Sequence, residues 1–266
     1  MKEKTKRQIM SKIKTGTLEW AEKNVNIITG CEHRCRYCYA ADMTKRFRRI
    51  ATLDDWGNPV LRAHEVDKQR RKSEGRIMFP STHDITPQFL DECVTVLRNL
   101  LAANNEVLIV TKPHLECVQR LCRELAEYKK NILFRFTIGA MDNDLLAYWE
   151  PGAPDFPERL AALKYAHAQG FATSVSAEPM LDAPRAVELY ERLVPFVTDT
   201  LWFGKMNMLR KRMSIETAED EAAVQRIKET QADDRIIELY EQLKNEAKVQ
   251  WKDSIKKLVG LTLDQP

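Results

Sequence analysis

Short aliphatic segments of strand length alternate along the chain with longer segments of helical periodicity. Six strands are predicted: Val25–Thr29, Arg76–Pro80, Glu106–Thr111, Ile132–Ile138, Ala172–Ala177 and Thr200–Gly204. Four helices are predicted between them: Pro87–Ala103, Leu115–Lys129, Pro157–Gln169 and Pro184–Val194. Near-continuous apolar strands are typical of a sheet covered on both faces, and their alternation with helices predicts parallel βαβ units.

The chain changes character after Lys205. No further strand-like run follows, and Ser214–Asp234 is rich in Glu, Asp, Ala and Gln, which predicts helix. From Ile236 onward, one helical stripe is formed by apolar residues: Tyr240, Leu243, Ala247, Trp251, Ile255 and Leu258. Such a stripe predicts a closing helix that packs across the body of the protein. We expect one domain at 20–207 and a C-terminal helical extension, packed on that domain, at 208–266.

Composition excludes several classes of protein. With 266 residues, 44% of them hydrophobic and 30% charged, the chain has the profile of a globular protein rather than a disordered or fibrous one. Its longest aliphatic runs, such as Val107–Val110, are far shorter than the ~18–20 residues that cross a bilayer. Met1–Lys14 is basic and is not followed by an apolar stretch of signal-peptide length. We therefore expect a cytoplasmic protein that binds no membrane.

Three of the six cysteines crowd into eight residues. Cys31, Cys35 and Cys38 have the spacing Cys-x3-Cys-x2-Cys directly after the first predicted strand, and in a reducing compartment clustered thiols indicate a metal or catalytic site. Structural zinc sites use four ligands in two pairs, and no second Cys-x2-Cys pair follows. A cubane iron–sulfur cluster fits three thiolates better, and it leaves one iron open to a ligand that is not protein.

Two other interpretations of these cysteines stay open. His33 lies between two of them and is a candidate fourth ligand for zinc, although neighbouring side chains in one tight loop converge only with difficulty. The clustered cysteines could also be ordinary core residues, but their spacing follows neither a strand period nor a helix period. We adopt this simpler interpretation for Cys93, Cys117 and Cys122.

Polar residues follow the remaining predicted strands. In α/β barrels the chemistry lies at the carboxyl ends of the strands. Here those ends carry Ser81, Thr82, His83 and Asp84; Lys112 and His114; Thr137; Ser176 and Glu178; and Lys205 and Asn207. A dinucleotide or phosphate site would need a glycine-rich loop that opens a helix, and the nine glycines form no such loop. We therefore expect one polar rim that includes the cysteine motif.

The cysteine motif resembles the signature of the radical S-adenosylmethionine (radical SAM) superfamily, with an aromatic residue just before the third cysteine. The resemblance implies a [4Fe-4S] cluster held by Cys31, Cys35 and Cys38, with SAM on the fourth iron and Tyr37 near its adenine. It also implies reductive cleavage of SAM to a 5′-deoxyadenosyl radical, which abstracts hydrogen from a substrate. The implied fold is a partial (β/α)6 TIM-type barrel, and the implied partner is an electron donor such as a flavodoxin or ferredoxin.

Further stretches are similar to the spore photoproduct lyase-like, or DNA repair photolyase-like, branch of the superfamily. They are Ser81-Thr82-His83-Asp84, Thr111-Lys112, Glu150-Pro151-Gly152-Ala153-Pro154 with the helical motif Glu158–Leu163 that follows it, and Glu178-Pro179. Carried over by position, the resemblance implies that Ser81 and Asp84 approach the amino group of SAM. It places Lys112 at the SAM carboxylate and Thr137 at the ribose or carboxylate. Glu178 joins this cofactor site, or else it pairs with Lys112 for structure alone.

One departure limits the resemblance. Spore photoproduct lyases have a cysteine after the second strand that returns a hydrogen atom to the thymine product, and Ser81 occupies that stretch here. A serine is a poor hydrogen-atom donor, so we do not expect spore photoproduct repair itself. The substrate-facing candidates are His83, His114, Lys205 and Asn207, although each is equally suited to satisfying polar groups of the rim.

Basic runs raise the question of nucleic acid. They lie at Lys45–Arg49, Lys68–Lys72 and Arg210–Arg212, besides the N-terminal arm. Such runs attract phosphates, but solvated helix faces offset by the acidic segment Glu216–Glu221 explain them as well at a net charge of +3. Our leading hypothesis is a radical SAM enzyme that acts on a nucleic-acid base or nucleotide, with DNA or RNA as partner. The alternatives are the same chemistry on a peptide or small metabolite, and a zinc-stabilised nucleic-acid-binding module.

Overall fold

The computed structural model describes residues 16–263. The strands in this range are β1 Lys23–Asn24, β2 Ile28–Thr29, β3 Val60–Leu61, β4 Ile77–Phe79, β5 Val107–Thr111, β6 Ile132–Thr137, β7 Ala172–Ala177, β8 Leu201–Phe203 and β9 Val249–Trp251. Seven of them form one sheet in the order β1-β4-β5-β6-β7-β8-β9, with every neighbouring pair parallel. The expected α/β fold of partial-barrel type is confirmed, with one strand more than the sequence indicated.

Helices follow most of the strands. They are α1 Tyr39–Arg46, α2 Leu53–Trp56, α3 Ala63–Val66, α4 Leu90–Ala102, α5 Leu115–Glu124, α6 Asn143–Trp149, α7 Phe156–Ala168, α8 Ala186–Leu193, α9 Leu209–Arg212, α10 Ala218–Thr230, α11 Asp233–Leu243 and α12 Asp253–Val259. The four helices predicted between strands correspond to α4, α5, α7 and α8. Three of these regions also contain a 3-10 turn at one end: Pro87–Phe89, Ala126–Asn131 and Ala183–Arg185.

The two faces of the sheet differ in polarity because strand side chains alternate between them. The outer face packs against the helices and supplies the main core, which includes Phe79, Ile109, Phe134 and Val175. The inner face begins with a smaller apolar cluster of Met78, Leu108 and Leu133. Toward the carboxyl ends it becomes polar, with Arg135, Thr137, Ser174 and Ser176. The polar side chains are therefore concentrated on the inner face near the predicted rim.

Two elements differ from the sequence-based expectation. The predicted first strand Val25–Thr29 is wrong as one element: β1 ends at Asn24 in the main sheet, and β2 pairs antiparallel with β3. The closing helix predicted from Ile236 is also wrong, because β9 interrupts it and pairs with β8. Trp251 thus lies on a strand. A strand of three residues is too short for its period of two to be distinguished from a helical stripe.

The segment before β1 contacts the residue that follows β9. These two strands are the edges of the sheet. The Glu19 carboxylate lies 2.8 Å from the Lys252 ammonium, which also donates a hydrogen bond of 2.9 Å to the Gly16 carbonyl. The rings of Trp20 and Trp202 meet edge to face at 5.9 Å. Side chains therefore join the two edges of the partial barrel, in place of a strand pair.

Across residues 16–263, every helix is too short or too polar to span a bilayer. The basic arm Met1–Lys14 lies outside the described residues. Of the other basic runs, Lys45–Arg49 lies at the end of α1, Lys68–Lys72 follows α3, and Arg210–Arg212 lies in α9.

Candidate active site at the carboxyl ends of the strands

The three clustered cysteines lie in the loop that joins β2 to α1. Cys31 and Cys35 are buried, and Cys38 is half-buried. Gly30 begins the loop with a φ of +103°, and a Cβ at this position would lie 2.8 Å from the carbonyl oxygen of Trp56. Only glycine suits such a backbone conformation at so close an approach. The turn at Gly30 therefore directs the chain into the cysteine loop.

Burial dominates the acid–base behaviour of these thiols. It raises the pKa of Cys31 to about 12 and the pKa of Cys35 well above the ordinary thiol value. Lys112 opposes the rise at each thiol, whereas Cys31 and Cys38 are close enough to Cys35 to add to it. A bound metal centre would supply positive charge and hold the thiols as thiolates. Two buried thiols and one half-buried thiol, each influenced by the Lys112 ammonium, therefore fit a cluster bound through sulfur.

The cysteine loop is fixed by backbone contacts to the segment after α6. The amide of Arg36 donates to the Trp149 carbonyl at 2.9 Å, and the amide of Gly152 donates to the His33 carbonyl at 3.1 Å. A Cβ on Gly152 would overlap the carbonyl oxygen of Glu32. The Glu150–Pro154 stretch, recognised in the sequence as a motif, thus lies directly against the cysteine loop.

Asp84 is the hub of the polar contacts on the rim. Its Oδ1 accepts a hydrogen bond of 2.7 Å from the Lys112 amide, and its Oδ2 lies 3.3 Å from the Lys112 ammonium and 2.8 Å from His33 Nδ1. The Cys31 thiol donates to the same Oδ2 at 3.8 Å. Burial raises the pKa of Asp84, but Lys112 and His33 outweigh this effect and hold that pKa well below its usual range. Lys112 therefore pairs with Asp84, and the alternative pairing with Glu178 is wrong.

His33 connects Asp84 to a second histidine. Its ring is fully buried, and its Nε2 lies 3.0 Å from His114 Nε2, so one of the two nitrogens must carry a proton. The ligand atoms of Cys31, His33 and Asp84 all lie within 4.8 Å of one another. Sulfur, imidazole and carboxylate are all ligands of zinc, so these three residues are a second candidate metal site beside the three cysteines.

A fully buried ion pair contacts the cysteine loop through Tyr37. Arg159 Nη1 lies 2.6 Å from Glu150 Oε2, and both side chains are almost inaccessible to solvent. The Tyr37 hydroxyl donates to Glu150 Oε1. Burial raises the pKa of Glu150, but Arg159 and Lys112 together bring it below its ordinary value. Tyr37, which the resemblance placed near adenine, therefore has its hydroxyl engaged by an ionised carboxylate.

The rim after β4 is shaped by Asn26. Its Oδ1 accepts from the amides of Ser81 and Thr82 at 2.7 and 2.9 Å, and its Nδ2 donates to the Ser81 hydroxyl at 3.0 Å. The Tyr39 hydroxyl donates to the Ser81 carbonyl at 2.5 Å. Ser81 is thus held between the strand ends and the first turn of α1.

Thr137, Ser176 and Glu178, three further candidate site residues, lie at the ends of the neighbouring strands β6 and β7. Thr137 and Ser176 are register partners at the ends of β6 and β7, and the buried Ser176 hydroxyl has no hydrogen-bond partner among residues 16–263. Two residues beyond Ser176, the Glu178 carboxylate lies 3.6 Å from the Lys252 ammonium. Burial raises the pKa of Glu178 to about 7, although Lys252 opposes the rise.

The four substrate-facing candidates lie in different surroundings. His83 is buried and uses both ring nitrogens on backbone groups, at 3.2 Å from the Ile27 amide and 2.9 Å from the Asp84 carbonyl. Lys205 pairs with Asp233 at 2.8 Å, and Asn207 is exposed. Among the four, His114 alone contacts a side chain of the Asp84–His33 cluster, through the ring of His33. The structure therefore does not bring these candidates together at one point.

Sequence reasoning missed Asn26, Glu150, Arg159 and Lys252 as members of the site. Asn26 stood inside a predicted strand, where one polar residue among apolar neighbours was the available signal. Lys252 was assigned to the closing helix, and Arg159 stood in the helical motif Glu158–Leu163, which gave it no role in the site. These residues act through long-range pairing, which a linear pattern does not reveal.

Comparison with known proteins agrees with the geometry. A family model described as the Radical SAM superfamily matches residues 25–182, which is more than half of the chain. Uncharacterized protein ORF301 of Acidianus two-tailed virus is 29% identical over 173 residues, which cover 60% of this chain and only 56% of the viral protein. Uncharacterized protein MJ0683 of Methanocaldococcus jannaschii is 26% identical over 196 residues, which cover 71% of each chain.

Solved structures show the same fold. A spore photoproduct lyase complexed with dinucleoside spore photoproduct has a TM-score of 0.56 at 18% identity, over 91% of this chain and 81% of that chain. Streptococcus suis SuiB bound to S-adenosylmethionine has a TM-score of 0.51 at 14% identity, over 86% of this chain and 49% of that chain. The family model, the partial barrel and the cysteine loop lead to one conclusion. The chain belongs to the radical SAM superfamily, whose members use a [4Fe-4S] cluster and SAM.

Proposed function

We propose that this protein is a radical SAM enzyme in which Cys31, Cys35 and Cys38 hold the cluster. The observation that carries the proposal is the position of three thiols on one loop at the carboxyl ends of the strands, where the Cys31 thiol and the Lys112 ammonium both contact Asp84 Oδ2, at 3.8 and 3.3 Å. When bound, the cluster supplies the electron that cleaves SAM to methionine and a 5′-deoxyadenosyl radical, which takes a hydrogen atom from the substrate. The protein loop holds the thiolates and shields two of them from water.

The rim around Asp84 suits the amino acid part of SAM. That part carries an ammonium and a carboxylate, and the rim presents Asp84 and Lys112 as an anion and a cation 3.3 Å apart. Ser81, held by Asn26, supports the ammonium side. Because Lys112 continues β5 in register with Thr137 at the end of β6, the Thr137 hydroxyl is available to the ribose or carboxylate. We assign Tyr37 and Glu178 to the same site.

The substrate that we propose is a nucleic-acid base or nucleotide. Tyr39, Met43 and Phe47 are exposed apolar side chains four residues apart, so they form a stripe along α1, which we call the α1 stripe. The stripe begins at the rim, where Tyr39 contacts Ser81. The Arg49 guanidinium lies 6.0 Å from the Phe47 ring. Exposed rings next to cations provide stacking surfaces for bases and charge for phosphates.

An anaerobic reconstitution tests the enzyme class. The protein is supplied with iron and sulfide, reduced with dithionite, and mixed with SAM. We expect a brown protein with about four irons per chain, as a [4Fe-4S] cluster requires, a change in the cluster spectrum on SAM addition, and formation of 5′-deoxyadenosine. A colourless protein with one zinc per chain and no SAM cleavage under any reductant would favour the zinc-stabilised binding module.

A second experiment tests the substrate class. Single-stranded and damaged duplex DNA and RNA are added to the reconstituted protein, and formation of 5′-deoxyadenosine is followed at increasing salt. We expect nucleic acid to stimulate turnover at low salt and the stimulation to fall as salt rises, because phosphate contacts release counterions. Replacement of Phe47 by Ala is expected to reduce the stimulation. Stimulation by peptides and not by nucleic acid would indicate that the same radical chemistry acts on a peptide substrate.

A further inference from the structure

Helix α10 of the C-terminal extension packs against the cysteine loop. Its buried residues Val224 and Ile227 belong to an apolar cluster, and the same cluster contains two residues of the loop, Cys35 and Tyr37. The helix lies outside residues 25–182, which the superfamily model matches. A part of the chain beyond the matched region therefore contributes to the surroundings of a proposed cluster ligand.

Asp220, in the first turn of α10, reaches the cysteine loop through Arg36. The Asp220 side chain is buried, and its Oδ1 lies 3.1 Å from Nη1 of Arg36. Arg36 stands between Cys35 and Tyr37 in the chain. The Tyr148 hydroxyl donates to the same Asp220 oxygen at 2.7 Å. The extension thus contacts the loop through a charged pair as well as through apolar packing.

Arg36 has further contacts at both its side chain and its backbone. Its Nε donates to the Tyr148 carbonyl at 2.7 Å, and its guanidinium carbon lies 4.3 Å from the centre of the Tyr148 ring. Its amide donates to the Trp149 carbonyl at 2.9 Å. A planar guanidinium suits such a combination of ion pair, hydrogen bond and ring contact. Asp220 therefore completes the set of contacts that fixes the residue directly after Cys35.

The two carboxylate oxygens of Asp220 have different partners. Oδ2 accepts from the amides of Glu216 and Thr217 at 3.1 and 3.0 Å, which completes the capping box at the start of α10. Oδ1 is the oxygen that faces Arg36 and Tyr148. A cap requires only one of the two oxygens, so capping alone does not account for the contact with Arg36.

The other end of α10 is fixed as well. Gln231 follows the helix and is buried. Its Oε1 accepts from the Met206 amide at 2.7 Å, and its Nε2 donates to the Met180 carbonyl at 2.5 Å. Met206 follows β8 and Met180 follows β7. Because α10 is anchored to the strand ends, Asp220 presents its carboxylate to the loop from a fixed position.

We infer that Asp220 is a positioning residue, which acts through Arg36 to hold the cysteine loop in the conformation that binds the cluster. This role rests on the proposed function, since it takes the loop cysteines as cluster ligands. Three thiolates hold one cluster only if the loop brings them together. A loop that is fixed before the cluster binds loses less conformational entropy on binding.

Thiol labelling of the iron-free protein tests this role without a cluster. Asp220→Asn keeps one oxygen that can serve the cap and removes the charge that pairs with Arg36. The matched control is Glu221→Gln, which removes one charge from an exposed position in the same turn of α10. Labelling of Cys35 in the loop and of Cys122 in the helix core is followed separately by mass spectrometry.

We expect Cys35 to be labelled about fivefold faster or more in Asp220→Asn than in the wild type, because loss of a charged hydrogen bond lets the loop open more often. Labelling of Cys122 should not change, and Glu221→Gln should behave as the wild type. After reconstitution, Asp220→Asn should release iron to a chelator faster. The electron paramagnetic resonance spectrum of its reduced cluster should broaden, since the loop no longer holds one arrangement.

A double-mutant cycle separates the contact with Arg36 from the helix cap. If Asp220 acts through Arg36, then Asp220→Asn should add little to the labelling rate of Cys35 in a protein that already carries Arg36→Met. An equal effect of Asp220→Asn with and without Arg36→Met would assign Asp220 to the cap alone and overturn the inference.

Two further results would overturn the inference. Equal acceleration at Cys35 and Cys122 would indicate a general loss of stability. A wild-type labelling rate of Cys35 in Asp220→Asn would show that the loop is held without Asp220. Failure of the proposed function is distinct, because the wild type would then assemble no iron–sulfur cluster, whereas labelling of the iron-free protein would still report on the loop.

Discussion

The Glu178 carboxylate lies 3.6 Å from the Lys252 ammonium, and the two side chains meet across Gly204. Glu178 follows β7, Gly204 follows β8 and Lys252 follows β9, which are three neighbouring strands. A Cβ on Gly204 would lie 2.9 Å from the Cγ atoms of both charged residues. The residue that follows the middle strand must therefore be glycine for the pair to form. Through Lys252 and Glu19, the same contact ties the edge strands together.

Replacing Gly204 by alanine should separate this pair. The added methyl group meets atoms close to the backbone, which have little room to move, so we expect a loss of about 1–3 kcal/mol in the free energy of unfolding. Urea titration at pH 8 measures the change. A urea midpoint equal to that of the wild type would show that the strands can move apart at no cost in the free energy of unfolding. It would also show that the pair of Glu178 and Lys252 does not hold the barrel edges together.

The cysteines divide into two groups that mutation should separate. Cys35→Ala should leave the reconstituted protein without a stable [4Fe-4S] cluster and without 5′-deoxyadenosine formation, because only two thiolates of the loop remain. Cys122→Ala provides the matched control, since Cys122 is equally buried but lies in the helix core. It should lower stability slightly and keep the full iron content. Equal iron in both variants, measured with the absorbance spectrum, would rule out Cys35 as a ligand.

His83 should give the protein an acid-labile contribution to stability. Burial lowers the pKa of His83 from 6.5 to about 4, so the folded protein binds fewer protons than the unfolded chain between these values. The contribution of the neutral His83 ring to the free energy of unfolding is fully present above pH 6.5. It is lost as the pH falls toward 4, and the total loss is about 3 kcal/mol. His83→Gln should flatten this part of the profile. The measurement is the unfolding free energy from pH 4 to 8, and an unchanged difference between wild type and variant across this range would contradict the assignment.

The parts of the fold that the sequence predicted are those with local signals. Strands β5, β6 and β7 are long enough for apolar runs to show, and the cysteine spacing is a local pattern. Strand β9 has three residues, of which Trp251 also fits a helical stripe, so the pattern favoured the wrong element. Because that strand was not predicted, the position of Lys252 at the sheet edge was not predicted either.

Pairing across the chain was predictable only in part. The sequence placed Asp84, Lys112 and His114 on one rim, but it could not show that Lys112 chooses Asp84 over Glu178. That choice depends on strand register, since Asp84 Oδ1 also accepts the Lys112 amide. The role of His33 depends likewise on a loop conformation in which Arg34 has a positive φ of 45°.

Asp84→Asn should weaken both SAM binding and the fold, because Asp84 is also the ion-pair partner of Lys112. The change removes the anion that faces the proposed SAM ammonium, and it leaves the Lys112 ammonium with less compensation. Hydrogen bonds to charged groups contribute about 1.5–3 kcal/mol, so we expect SAM affinity to fall about tenfold or more. Equilibrium dialysis of the reconstituted protein measures the change, with exposed Glu188→Gln as the control. Unaltered affinity would remove Asp84 from the SAM site.

The buried pair of Arg159 and Glu150 should link stability to the cluster. Removing one partner of a buried ion pair costs about 3–5 kcal/mol, because the other charge is left uncompensated. Arg159→Met should therefore destabilise the protein by that amount, and since Glu150 also accepts the Tyr37 hydroxyl, the cysteine loop should lose support.

Iron release from the reconstituted Arg159→Met variant should be faster than from the wild type under native conditions. The double variant Arg159→Met with Glu150→Gln removes both charges and should recover part of the stability. If the loop is held mainly through the Glu150 carboxylate, the double variant should still release iron quickly. Slow release in both variants, measured with a chelator, would show that the contacts of the Arg36 and Gly152 amides suffice to hold the loop.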